Sequence, residues 1–119
     1  MKLKLILWLL GVMLKRARRG NRRFRETLDD LRSLDWGIAT EDLSIARHYR
    51  MTSDAIETGP GLPVDLDLEL RFRDAEAAIA ILKKPTQRAF LDGMMEGRVR
   101  LVGDSKDLTK LQKLLQYLR

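Results

Sequence analysis

At 119 residues, 45% hydrophobic and 34% charged, the chain has the size and composition of a single globular domain. It holds no cysteine, which excludes a disulfide scaffold, a thiolate nucleophile and a cysteine-ligated metal site, and is compatible with a reducing cytoplasm. The net charge of +6 is unevenly placed: residues 1–25 carry nine Lys or Arg and no acid, leaving fourteen bases against seventeen acids in a mildly acidic body.

The N-terminal arm opens with an apolar run, Leu5 to Leu14, between Lys4 and Lys15-Arg16. As a helix it would reach about 15 Å, half the roughly 30 Å of a bilayer's hydrocarbon core, so a membrane-spanning role is disfavoured. Bases directly after the run and the lack of a small-x-small cleavage site argue against a signal peptide. Two roles stay open. The helix lies in a membrane interface, with Trp8 among the acyl chains and Lys15, Arg16, Arg18 and Arg19 near anionic headgroups. Alternatively, it docks on the body or on a second copy, giving a homodimer. Nucleic acid is disfavoured as a partner: the arginines from Arg16 to Arg25 are interleaved by one aromatic, Phe24, and the body is acidic.

Phe24, Leu28, Leu31 and Leu34 recur at helical spacing and predict a second helix or a continuation of the first. Trp36, Ile38 and Thr40 predict a strand ending at Glu41-Asp42. Leu43, Ile45, Tyr49 and Met51 share one parity of a second strand, and a turn at Thr52-Ser53-Asp54 leads into Ala55–Thr58. Gly59-Pro60-Gly61 stops regular structure there. From Val64 to Phe72 the even positions are apolar and the odd ones charged, which predicts a strand with one buried and one wet face. Asp74 caps a helix through Ala75, Ala78, Ile79 and Leu82 that Pro85 ends; Thr86 caps another carrying Phe90, Leu91 and Met94, ending near Gly93 or Gly97. A last strand spans Arg98 to Val102, and Asp104 or Ser105 caps a final helix with a stripe of Leu108, Leu111, Leu114, Leu115 and Leu118. Strands and helices are segregated, so the fold class is α+β.

Catalytic chemistry finds little support. The sole histidine, His48, sits on a predicted strand near Arg47 and Arg50, a poor setting for a metal ligand. Asp65, Asp67 and Glu69 are expected to pair with Arg47, Arg50, Arg98 or Arg100 across the sheet rather than hold a cation. Nucleophile-elbow, zinc-helix, phosphate-loop and dinucleotide motifs are missing from the sequence. An enzyme is disfavoured, and no cofactor is expected.

The C-terminal half resembles the sterol-carrier-protein-2-like family. The resemblance rests on an ordered series: Asp74 to Leu82 as an acid-capped alanine-rich helix, Ala89 to Gly97 with its aromatic and methionines, Arg98 to Asp104 as a strand ending in Gly-Asp, and the leucine-rich Leu108 to Leu118. Val64–Phe72 fits the family's central strand; residues 33–58 match in pattern, and residues 1–25 fall outside. The chain accordingly divides into an arm, 1–25, and a lipid-binding domain, 26–119. The resemblance implies a twisted, antiparallel-rich sheet of about five strands with helices on one face around an apolar tunnel. It implies a non-catalytic carrier of a sterol, fatty acyl or isoprenoid tail, some bacterial relatives assisting ubiquinone biosynthesis. Under it the tunnel is lined by Leu70, Phe72, Ile79, Leu82, Phe90, Leu91, Met94, Met95, Leu101, Leu111, Leu115 and Leu118. Two departures stand out: Lys83-Lys84-Pro85 replaces a glycine often found before the second helix, and Tyr117-Leu118-Arg119 is not a peroxisomal Ser-Lys-Leu signal. The expected location is cytoplasmic, peripheral on the inner face of a membrane where the arm binds one. The competing reading is a scaffold whose N-terminal helix mediates dimer or membrane association without cargo.

Overall fold

The computed structural model describes residues 2–84 and 86–118, so the helix stop expected at Pro85 and the terminal Arg119 lie outside it. Apolar run and basic cluster form one helix, α1 (Lys2–Gly20), and Asn21 then starts a separate helix, α2 (Arg22–Leu31), by accepting the Phe24 N–H at 3.1 Å. Arg25 Nη1 donates to the carbonyls of Arg18 (2.8 Å) and Arg19 (2.7 Å), satisfying acceptors that the end of α1 leaves open. Leu3, Leu7, Gly11 and Leu14, at spacings of three and four, form the buried row of α1. Arg32, at φ +69°, ends α2, and Leu34 belongs to the next strand. The helical spacing had joined Leu34 to Phe24 and Leu28 because all three enter one core.

Strands β1 (Ser33–Thr40), β2 (Ala46–Thr52), β3 (Ile56–Pro60), β4 (Leu68–Phe72) and β5 (Val99–Gly103) form a sheet of order β3-β2-β1-β4-β5. Every neighbouring pair is antiparallel except β1 and β4. Register places Trp36 between Tyr49 and Leu68, Ile38 beside Leu70, and Phe72 beside Val99, so one face is apolar and buried. Trp36 and Tyr49 stack there with centroids 4.6 Å apart.

The strand expected over Val64–Phe72 is shorter than its alternation. Val64 stands fully exposed in a turn, and pairing begins at Leu68. The reason is topological. β3 lies at the sheet's edge while β4 sits beside β1, so the connection crosses the open face, where Leu62 and Leu66 cover Gly37 and leave no room for a Cβ. Asp67 locks the entry to β4: its N–H donates to the Asp35 carbonyl (2.8 Å) and its carboxylate accepts the Asp35 N–H (3.0 Å). β3 likewise runs through Pro60, farther than expected, an edge position that tolerates a residue without an N–H.

Helices α3 (Ala75–Leu82), α4 (Gln87–Met95) and α5 (Ser105–Leu115), followed by a 3-10 turn at Gln116–Leu118, complete the fold. Asp74, Thr86 and Asp104 cap them as expected, accepting N–H groups of Ala77, Ala89 and Lys106 at 2.8, 3.1 and 2.9 Å. Gly93 does not end α4 but sits inside it; a Cβ there would meet Ile81 Cδ1 at 2.6 Å and Val99 Cγ1 at 3.0 Å, so it brings α4 against α3 and β5. A single hydrophobic core joins Leu3, Leu7 and Leu14 of α1 to the sheet and to Leu108, Leu111, Leu114 and Leu115 of α5, continuous across residue 25.

Candidate functional site

A nineteen-residue helix that is apolar nearly all round over Leu5–Leu14 buries more than one stripe or leaves grease in water. α1 does both. Its inner row packs on the sheet at Gly11, near the side chains of Tyr49 and Thr58, and the Tyr49 hydroxyl donates to the Leu7 carbonyl at 2.6 Å. Burial pushes the Tyr49 phenol well above its usual pKa. The flank of α1 then forms one wall of a groove of about 390 Å³, made by Leu5, Ile6, Leu9, Leu10 and Met13. The opposite wall comes from Leu82 and Lys83 at the end of α3 and from Leu115 and Leu118. Among the described residues, Lys83 is the one charged member of that lining. The volume lies within the roughly 300–1,000 Å³ of small-molecule sites, and the apolar lining matches their chemistry.

The open face of the sheet is built for another purpose. Arg50 bridges Asp35 (3.1 Å) and Asp65 (2.8 Å), Arg71 holds Glu69 (2.9 Å), and Arg100 holds Glu41 (2.9 Å). The Arg50 hydrogen bond draws the Asp65 carboxyl below its usual range, and Arg100 does the same to Glu41. Asp42 falls to about 2 because the hydroxyl of Thr40 and the amide and hydroxyl of Ser44 donate to it. His48 Nδ1 lies 3.1 Å from the Gly61 carbonyl. Of the carboxylates expected to meet arginines across the sheet, Asp65 does so at Arg50; Glu69 pairs instead with Arg71, two residues on along its own strand, and Asp67 accepts the Asp35 N–H. Among the described residues no cluster of three or more His, Cys, Asp or Glu could hold a metal ion.

Neither a family model nor a curated protein matches the sequence. Solved structures do. A ubiquinone synthesis protein, UbiJ-SCP2, superposes with a TM-score of 0.69 at 13% identity, over 93% of this chain and 90% of its own. Sterol Carrier Protein 2 Like 2 from Aedes aegypti gives 0.59 at 17% identity over 93% and 94%, and Sterol Carrier Protein 2 from Yarrowia lipolytica gives 0.57 at 12% over 92% and 88%. The chain has the sterol carrier protein 2 fold.

Within that fold the twelve residues expected to line a tunnel separate. Leu82, Leu115 and Leu118 line the groove beside α1. Leu70, Phe72, Phe90 and Leu111 are fully buried in the core, and Ile79 packs against it half-buried. Met94 and Leu101 edge a separate recess with Glu41 and Arg100. Leu91 and Met95 are 50% and 78% exposed, on the outer side of α4. Where the resemblance implies a tunnel, between sheet and helices, Trp36, Tyr49, Phe72 and Phe90 are packed; the open apolar space lies one layer out, beside α1. The five α1 residues of that wall were missed because they fall outside the sequence resemblance, although a helix apolar on more than one side was itself a signal.

Of the residues expected to touch a membrane, Trp8, Arg16 and Arg19 are exposed. Lys15 and Arg18 are half-buried, Arg18 following Gly11 and Leu14 on the side turned to the body. Among the described residues no helix is long and apolar enough to cross a membrane.

Proposed function

We propose that the protein is a non-catalytic carrier of a hydrophobic ligand, whose tail lies in the groove between α1 and the ends of α3 and α5. The observation that carries this reading is the groove: eight apolar side chains and Lys83 around about 390 Å³ of open space. A tail that removes about 300 Å² of apolar surface from water gains about 7 kcal/mol gross. Ordering and association take back several kcal/mol and groove walls leaving water return some, so the tail alone supports binding weaker than about 1 μM. Sterol, fatty acyl and isoprenoid tails all meet this requirement. The likeness to a ubiquinone synthesis protein supports an isoprenoid quinone precursor and an accessory role in that synthesis.

Native mass spectrometry of protein purified from its host is expected to show a bound hydrophobic molecule, and fluorescent acyl or prenyl probes to bind the emptied protein. Leu9, at 42% exposure, sits in the groove wall, so Leu9→Trp fills the space from a position with room to grow. Probe affinity should fall about tenfold while the melting temperature holds, the loss of roughly 1.4 kcal/mol. Unchanged probe binding by Leu9→Trp would remove this groove as the site. Failure of every probe, with no co-purified molecule, would leave the cargo-free scaffold.

A further inference from the structure

The outer side of α1 is an apolar strip that the fold leaves uncovered. Leu5, Trp8, Leu9 and Met13 are exposed by 58, 55, 42 and 39%, and they succeed one another at helical spacings on one side. Continued by steps of three and four, the same side carries Val12, Arg16 and Arg19, while Lys2 and Lys4 stand exposed at the other end. Among the described residues none of Lys2, Lys4, Arg16 and Arg19 takes part in an ion pair. The result is an apolar strip with a cation cluster at each end and no acid anywhere in residues 1–25.

We infer that this face seats the protein on an anionic lipid bilayer, α1 lying flat with Trp8 in the interface and Arg16 and Arg19 among the headgroups. The charge pattern selects this occupant over a second copy. Two α1 helices packed face to face, in either direction, would bring cations against cations at both ends, a repulsion that an interface of a few apolar side chains does not offset. An anionic surface meets the same charges with attraction, and an amphipathic helix with a basic polar end is the form that lies in such an interface. Leu5, Leu9 and Met13 belong to the exposed strip and to the groove wall alike, so the groove opens toward the same side. That last step rests on the carrier reading; the seating itself does not.

The test uses the full chain with vesicles of phosphatidylcholine, with and without phosphatidylglycerol. Sedimentation should require phosphatidylglycerol and weaken with salt. Trp8 should shift its emission to the blue on binding, while Trp36, fully buried, gives a constant background. Arg16→Ala/Arg19→Ala should weaken binding by about tenfold or more, and Trp8→Ser should weaken it further. Trp8 is outside the groove lining, so Trp8→Ser should bind acyl and prenyl probes like the parent; this separates the two readings. Indifference to phosphatidylglycerol, or equal sedimentation of both variants and the parent, would overturn the inference. So would a dimer in light scattering that Trp8→Ser dissociates, with no vesicle binding.

Discussion

The two sides of α1 have nearly the same composition and opposite fates. Leu3, Leu7 and Leu14 face the sheet and are at most 1% exposed; Leu5, Trp8 and Leu9, one or two residues away, are 42 to 58% exposed. Hydrophobicity alone therefore does not say whether a leucine holds the fold or serves a ligand or surface. What decides it is the neighbour at Gly11, where the helix meets Tyr49 and Thr58 and so fixes which side turns inward. The inner side contributes to stability, and the outer side is free to contribute to binding.

The largest effect separating the sides comes from emptying the inner one. Leu7→Ala or Leu14→Ala leaves a cavity between α1 and the sheet and should cost about 3 kcal/mol in urea unfolding. A cost below about 1 kcal/mol would mean that α1 is only loosely held, and the contrast between its sides would dissolve.

The anchoring hydrogen bond gives a smaller, pH-dependent effect. Tyr49→Phe removes the donor to the Leu7 carbonyl and should cost about 1 kcal/mol at neutral pH. The phenol's pKa is raised by burial, so the unfolded chain releases this proton near pH 10 while the folded chain retains it. The Tyr49 contribution is thus complete below about pH 10 and declines as pH rises beyond it. The gap between the parent and Tyr49→Phe should narrow there; a constant gap through that range would show that the hydroxyl is in contact with water.

Most of the fold was legible because its signals are local. Asp74, Thr86 and Asp104 announce helices through side-chain oxygens that reach backbone N–H groups two or three residues on. Leu68, Leu70 and Phe72 announce a strand by parity. The failures share another cause. Val64 and Leu66 continue that parity, but their conformation is set by a crossing to β1 that the alternation does not encode. The resemblance puts Leu91 and Met95 in a tunnel with Phe90 and Met94, whereas a period of 3.6 residues turns Phe90 into the core, leaves Met94 half-buried at its edge and sends Leu91 and Met95 out. The groove was legible on one side only. Leu82, Leu115 and Leu118 lay in the recognisable half, but their partners lie far earlier in the chain, on α1, where only the docked position of that helix brings them together.

The smallest predicted effect is the most discriminating for the outer side. Leu5→Ala and Trp8→Ala remove large apolar groups from positions that folding leaves 58% and 55% exposed. Folding collects less than half of the transfer free energy of either side chain, so each variant should lose no more than about 1 kcal/mol, well short of Leu7→Ala. The same pair should nonetheless differ in binding: both lose vesicle affinity, while only Leu5→Ala, in the groove wall, also changes probe affinity. If Trp8→Ala instead lost stability like Leu7→Ala, the indole would have to be packed against another surface in solution. The strip would then be an interface already filled, and no longer one that waits for a bilayer.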